Sequence, residues 1–154
     1  MSTRPAAWTR ANTGARSGVG DELRVQILSA ADVVQVRQRG REFAASAGFS
    51  SGDQTVIAVA ISEIARNIVS YAKRGEVILQ LVTNGERQGV TIIAQDHGPG
   101  IADVARALQD GFSTSGGLGL GLPGARRLMD DFDIKSASGV GTTITMTKWR
   151  RHSG

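Results

Sequence analysis

Gly111-Phe-Ser-Thr-Ser-Gly-Gly-Leu-Gly-Leu-Gly-Leu-Pro-Gly124 holds six glycines in fourteen residues. Glycine reaches positive φ at no steric cost and lets a ligand approach the backbone, but ordering it costs more entropy than ordering any other residue. A chain that accepts this cost commonly needs bare N–H groups in one place, and a phosphate is the usual reason. The run leads into Ala125-Arg-Arg-Leu-Met-Asp130, which reads as a helix with its positive N-terminal end toward the bound anion. Taken alone, the run has a less favoured second reading, a flexible connector that ends in a glycine helix cap.

Two common phosphate loops can be set aside. A Walker A loop needs a lysine after its last glycine, and none follows here. Gly119-Leu-Gly-Leu-Pro-Gly124 has the dinucleotide spacing, but that motif requires a strand directly before it. What precedes it, Gly111 to Gly117, reads as a loop. The fold must therefore be read from the flanks.

Upstream, Glu22 to Leu28 alternates apolar and polar residues, the pattern of a strand with one buried face. Ser29 is placed to cap a helix from Ala30 or Ala31 to about Ala47, with Val33, Val36, Phe43 and Ala47 on one side and Gly48 as its stop. Gly40 weakens that helix slightly. A second helix, capped by Ser51 or Asp53, is expected to run to about Ala72. Its Ile57, Ile61, Ile64 and Ile68 form a helical stripe. Glu63 and Asn67 stand one turn apart at the margin of that stripe, where a carboxylate and an amide are costly unless partnered. Glu76–Val82 and Gly89–Gln95 flank an Asn-Gly turn and read as an antiparallel hairpin. The hairpin runs into Asp96-His-Gly-Pro-Gly100, a carboxylate and two glycines at a strand end, where function and ordinary turns are both common. A short helix over Ile101–Leu108 leads to the glycine run. Beyond the Ala125 helix come strands over Phe132–Ser138 and Thr142–Trp149. The order β α α β β (short α) loop α β β predicts an α+β two-layer sandwich, a mixed, mostly antiparallel sheet with helices on one face.

The length of 154 residues suits one domain. Residues 1–20 show no apolar period and read as a disordered tail, 21–149 as the folded domain and 150–154 as a second tail. Six of the 18 basic residues lie in the first twenty positions or at Lys148, Arg150 and Arg151. The 12 that remain face 14 acids in 21–147, a net of −2. The body is thus no basic nucleic-acid surface. No run of 18 apolar residues exists to span a membrane, and no apolar signal segment opens the chain. Cys is absent and only His97 and His152 offer imidazole, which argues against thiolate or histidine metal sites. A cytoplasmic protein is expected.

Four features in order, Glu63 with Asn67, Asp96-x-Gly98-x-Gly100, Gly117-x-Gly119-x-Gly121 and Gly141-Thr142, resemble the GHKL family of ATPases and kinases, which includes histidine kinases, gyrase B and MutL. The resemblance covers about residues 21–149. It implies the Bergerat fold, with ATP bound between the helix layer and a lid, and Mg²⁺ as the accompanying ion. Under it Glu63 is the catalytic base and Asn67 an oxygen ligand of Mg²⁺. Asp96 accepts from the adenine amino group, and Gly98 and Gly100 let the backbone bend beneath the nucleotide. Gly117, Leu118, Gly119, Leu120 and Gly121 form the phosphate-binding lid, and Thr142 bonds near the adenine or Asp96. Arg66, Lys73 and Arg126 are candidate phosphate cations and equally ordinary surface charges.

Within the family, Ile61–Ile68, Asp96–Ile101 and Ser113–Asp130 are most similar to the small serine/threonine switch kinases of the stressosome. That implies STAS-domain proteins as substrate and scaffold, and a PP2C-type phosphatase or another output protein as second partner. No dimerisation and phosphotransfer helices precede the ATP domain, which speaks against a histidine kinase. Two alternatives carry the same motifs: an anti-sigma factor that binds its sigma factor directly, and a nucleotide-binding module without catalysis.

Overall fold

The structure is a computed structural model that describes residues 8–10, 19–101, 104, 108 and 121–151. Strands β1 (Trp8–Arg10), β2 (Val19–Ile27), β3 (Gly75–Asn84), β4 (Arg87–Asp96), β5 (Asp131–Ala137) and β6 (Gly141–Trp149) form one sheet in the order β1-β2-β3-β4-β6-β5. Helices α1 (Ala30–Ser46), α2 (Ser51–Asn67) and α3 (Gly121–Leu128) pack with the sheet around a single core. This is the α+β two-layer sandwich read from the sequence. The expected mixture of strand directions is absent: every neighbouring pair among the described strands is antiparallel. The reason is topological. β5 runs in the same direction as β4, but the β5–β6 hairpin inserts β6 between them, so the crossover through α3 returns to the sheet one strand away.

Period-2 burial selects the sheet face. Leu23, Val25 and Ile27 of β2 are buried while Arg24 and Gln26 are exposed, and Ile144 and Met146 of β6 turn inward between threonines. The isoleucine stripe of α2 is sunk into the core, with Ile57, Ile61 and Ile64 fully covered. Over Ser51–Ala72 the chain has a mean hydropathy of 1.3, enough by length and composition to cross a bilayer, yet half of that window is buried inside the fold. Burial of the four isoleucines at about 1.5–3 kcal/mol each explains that apolarity within the domain itself. α1 lies against α2 at Gly40, where an added Cβ would collide with Ile61 Cδ1. The mid-helix glycine, read from sequence as a mild weakness, is a contact point.

Several boundaries moved. Ser29 caps α1, and the Asp32 carboxylate reaches back to the N–H groups of Leu28 and Ser29 at 2.8 and 3.1 Å. The cap of α2 is Ser50, not Ser51 or Asp53. Its hydroxyl accepts from the Asp53 N–H at 3.2 Å because Ser50 still has extended backbone while Ser51 is already helical. The α-helix stops at Asn67 and continues as a π-helical turn, Ile68–Ala72. Within the supposed N-terminal tail, β1 pairs with Asp21–Leu23, and β2 starts at Val19. An edge strand is held by main-chain hydrogen bonds and needs no apolar period, so the pattern did not reveal it. Arg150, assigned to the C-terminal tail, is tied back by its N–H to the Gln88 carbonyl at 2.7 Å. Of the helix expected over 101–108, one bond is described, Leu108 N–H to the Val104 carbonyl at 3.1 Å. The rest of that segment, the other residues of the predicted tails and the lid residues Gly117, Leu118, Gly119 and Leu120 lie outside the described residues.

Candidate nucleotide site

Asp96 ends β4 and pairs on one side with Gly75 of β3 and on the other with Thr142 of β6. Alternation along β4 puts it on the helix-facing side with Ile92 and Ala94. Its Oδ1 accepts the Gly98 N–H at 2.8 Å, closing a tight turn. Its other carboxylate oxygen receives no donor among the described residues. The turn leaves no space for side chains. A Cβ on Gly98 would stand 2.6 Å from Ala72 Cβ, and one on Gly141, which sits at φ +136°, would strike the Asp96 carbonyl oxygen. Gly100, at φ +80°, is pressed against the Ala137 carbonyl. These glycines bring the Asp96 turn under the π-turn that follows Asn67 and against the β5–β6 hairpin. The Gly139 N–H bond to the Pro99 carbonyl, 2.8 Å, fixes the hairpin side.

Glu63 is 8% exposed and doubly held. Arg66 Nη1 lies 3.0 Å from its Oε2, and the Gly121 N–H donates to its Oε1 at 2.9 Å. Gly121 is the first residue of α3 and has φ +67°, so the carboxylate sits at a helix N-terminus, where negative charge is favoured. Arg66, taken from sequence as a candidate phosphate cation or a surface charge, is the partner of Glu63. Asn67, one turn on, is half-buried, and its amide forms no hydrogen bond among the described residues. Thr142 is buried, and its hydroxyl is 2.8 Å from Ser136 Oγ, not bonded to Asp96. Ser136 also takes the Ile101 N–H at 2.7 Å and meets the Gly141 carbonyl at 3.2 Å, so it knits three segments at the rim of the site. Nothing in the sequence singled out Ser136, because a lone serine in a strand carries no spacing signal.

The fold thus brings Glu63, Asn67, Asp96, Gly98, Gly100, Gly121 and Thr142 to one end of the sheet, between the helix layer and the strand ends. Lys73 lies at the rim with φ +76°, an uncommon backbone for a non-glycine residue, where the π-turn gives way to β3. Arg126 is exposed on α3.

Residues 28–148 match the histidine kinase-like ATPase domain. The chain belongs to that family. Among relatives of this histidine kinase-like ATPase, the serine/threonine-protein kinase RsbT of Bacillus subtilis is 48% identical over 133 residues, covering 86% of this chain and all of that protein. The anti-sigma F factor of Thermoanaerobacter sp. (strain X514) is 30% identical over 99 residues, 60% of this chain and 68% of that one. The crystal structure of the RsbU and RsbW domains of Rv1364c from Mycobacterium tuberculosis superposes with a TM-score of 0.58 at 24% identity. It covers 84% of this chain and 33% of that one, a likeness of fold.

The nucleotide that the family implies suits the residues present. Among the described residues the second Asp96 oxygen is an acceptor without a donor and the Asn67 amide beside the site is unpartnered, and the glycines draw three backbone segments close to the same space.

Proposed function

We propose that this histidine kinase-like ATPase is a serine/threonine protein kinase of the partner-switching type. It transfers phosphate from ATP to a serine or threonine of a STAS-domain protein and then engages an output protein such as a PP2C-type phosphatase. The observation that carries the reading is Glu63: a nearly buried carboxylate one turn before Asn67, tied to the start of α3 where the glycine-rich run ends. A carboxylate oxygen has two lone pairs, so Oε1 can keep the Gly121 N–H and still accept a proton from an incoming hydroxyl. The hydroxyl oxygen bonds to the γ-phosphorus, its proton passes to Glu63, and the bond to the β-phosphate oxygen breaks to leave ADP. Asp96 accepts from the adenine amino group and so fixes the base. Asn67 would offer an oxygen to Mg²⁺, which offsets phosphate charge when bound. The cytoplasm, where ATP and such partners meet, is the expected compartment.

The anti-sigma factors among the relatives support a second reading, in which the chain holds a sigma factor directly. One experiment separates the two. The purified chain is incubated with Mg²⁺, γ-labelled ATP and a STAS-domain protein, and in parallel with a sigma factor. Label on a serine or threonine of the STAS protein is expected. Capture of the sigma factor without transfer to the STAS protein would replace the first reading with the second.

A further inference from the structure

Asp96, Thr142 and Ser136 stand in one row across the end of the sheet. Thr142 of β6 pairs with Asp96 of β4 on one side and with Ser136 of β5 on the other. Strand alternation puts all three on the helix-facing side, two residues from Ala94, Ile144 and Ile134, which lie in the core or pack against it. Residues directly opposite each other on neighbouring strands have Cβ atoms about 4.5–5.5 Å apart. The Asp96 carboxylate and the Thr142 hydroxyl are therefore neighbours.

The protons of the two hydroxyls can be followed. A hydroxyl owns one proton and two lone pairs. Ser136 Oγ accepts the Ile101 N–H at 2.7 Å, so its own proton goes to Thr142 Oγ1 at 2.8 Å or to the Gly141 carbonyl at 3.2 Å. The first distance is the usual one for an O–H donor, and the second lies beyond it. The bond that Ser136 accepts also polarises its O–H as a donor. With that proton directed at Thr142, the proton of Thr142 itself has no acceptor among the described residues, although Thr142 is only 8% exposed. A buried donor without an acceptor is costly, and it stands beside the Asp96 oxygen, which is an acceptor without a donor.

We infer that Ser136 is a positioning residue for base recognition: it makes Thr142 a donor, so that Thr142 and Asp96 together read the edge on which adenine carries its amino group beside the ring nitrogen N1. Asp96 accepts from the amino group, and Thr142 donates to N1. The inference rests on the nucleotide reading and supplies the second half of the base contact. Guanine presents a carbonyl oxygen and an N–H at those two places, and the carbonyl opposes the Asp96 carboxylate. Ser136 acts through Thr142 and does not touch the base.

The test is calorimetry on the full chain with Mg²⁺ and two nucleotides, ATP and 1-deaza-ATP, in which N1 is replaced by CH. The unmutated chain should prefer ATP about threefold to tenfold, the worth of one hydrogen bond between neutral groups. Ser136→Ala should remove most of that preference by weakening ATP, with 1-deaza-ATP changed less than about twofold. Thr142→Val keeps the side-chain shape and loses the hydroxyl. It should abolish the preference, and adding Ser136→Ala should lower it no further. Equal losses with both nucleotides would make Ser136 a structural residue alone and overturn the inference. So would an unmutated chain that binds ATP and 1-deaza-ATP equally well, with the nucleotide reading left standing. An unmutated chain that binds neither nucleotide overturns the nucleotide reading itself.

Discussion

Where Gly89 faces Trp149, at one end of the β4–β6 pair, side chains are tied to one another; where Asp96 faces Thr142, at the other end, several are left open. At the first end Asp130 accepts the Trp149 backbone N–H at 2.7 Å, Asp131 accepts the indole N–H at 3.1 Å, and the Arg87 guanidinium lies 4.3 Å above the ring. Lys148, only 7% exposed, donates to the Leu128 carbonyl at 3.1 Å with Asp130 at 3.7 Å, and Arg150 reaches the Gln88 side chain. At the second end an Asp96 oxygen and the Asn67 amide lack partners among the described residues, Lys73 has a positive φ, and apolar side chains are exposed. The contrast teaches a division of labour. One end cross-links the sheet and the C-terminus. The other leaves polar and apolar groups open, as the proposed function would require of the end that meets nucleotide and partner.

The contrast is sharpened most by Glu63→Gln. The amide keeps an acceptor for Gly121 but cannot take the proton, so phosphotransfer should fall about 10²–10⁴-fold with the unfolding midpoint little changed. A labelled-phosphate assay beside a melting curve checks it, and near-normal transfer would remove Glu63 from its role. Trp149→Ala should act in the opposite sense. It deletes the ring, its indole bond and the Arg87 contact, for about 2–3 kcal/mol of stability, while ATP affinity stays within about twofold. Urea denaturation and calorimetry on one sample would read both, and a lost ATP affinity would show that the two ends are coupled. Asp96→Asn replaces one of two acceptor oxygens by a donor. It should weaken ATP binding about tenfold or more, since a hydrogen bond to a charged group is worth about 1.5–3 kcal/mol. Equal affinity by calorimetry would remove Asp96 from the site.

Lys73→Gly relieves positive φ at the rim. The relief of about 1–3 kcal/mol less the entropy cost of a glycine should leave a gain of about 1 kcal/mol in unfolding free energy. A loss instead would mean that the Lys73 conformation is supported by contacts. The smallest effect belongs to the open face of the sheet. Burial pushes the Glu22 carboxyl up, but the Gln80 amide and the Arg24 guanidinium outweigh it and hold it below its ordinary 4.5. A carboxyl lowered in the fold contributes stability above its unfolded value and loses it as pH falls through the folded one. Stability should therefore decline on acidification from about pH 5 downward, and Arg24→Gln should make that decline shallower. Parallel acid titrations of the two proteins, followed by circular dichroism, would show it.

The chain belongs to the histidine kinase-like ATPase family, and much of that was legible in its residues. Glu63 and Asn67 are set by helical spacing, and Asp96 by the strand that ends there. The fold class follows from the order of periodic segments. Less legible was what depends on contact between distant segments. Arg66 read as a phosphate cation or a surface charge, although Glu63 lies only three residues before it, because spacing permits that pair and side-chain rotamers decide it. Ser136 read as an ordinary strand residue because its three partners come from Ile101, Gly141 and Thr142.

The sequence by itself determined the elements, their buried faces and the residue types able to hold a nucleotide, because apolar period, capping residues and glycine turns act over a few residues. Only the tertiary structure decided that β6 lies between β4 and β5 and that Gly121 closes on Glu63 across 58 residues. Strand order and register are settled by which pairing buries the whole core at once, a sum over the entire chain that no local pattern contains.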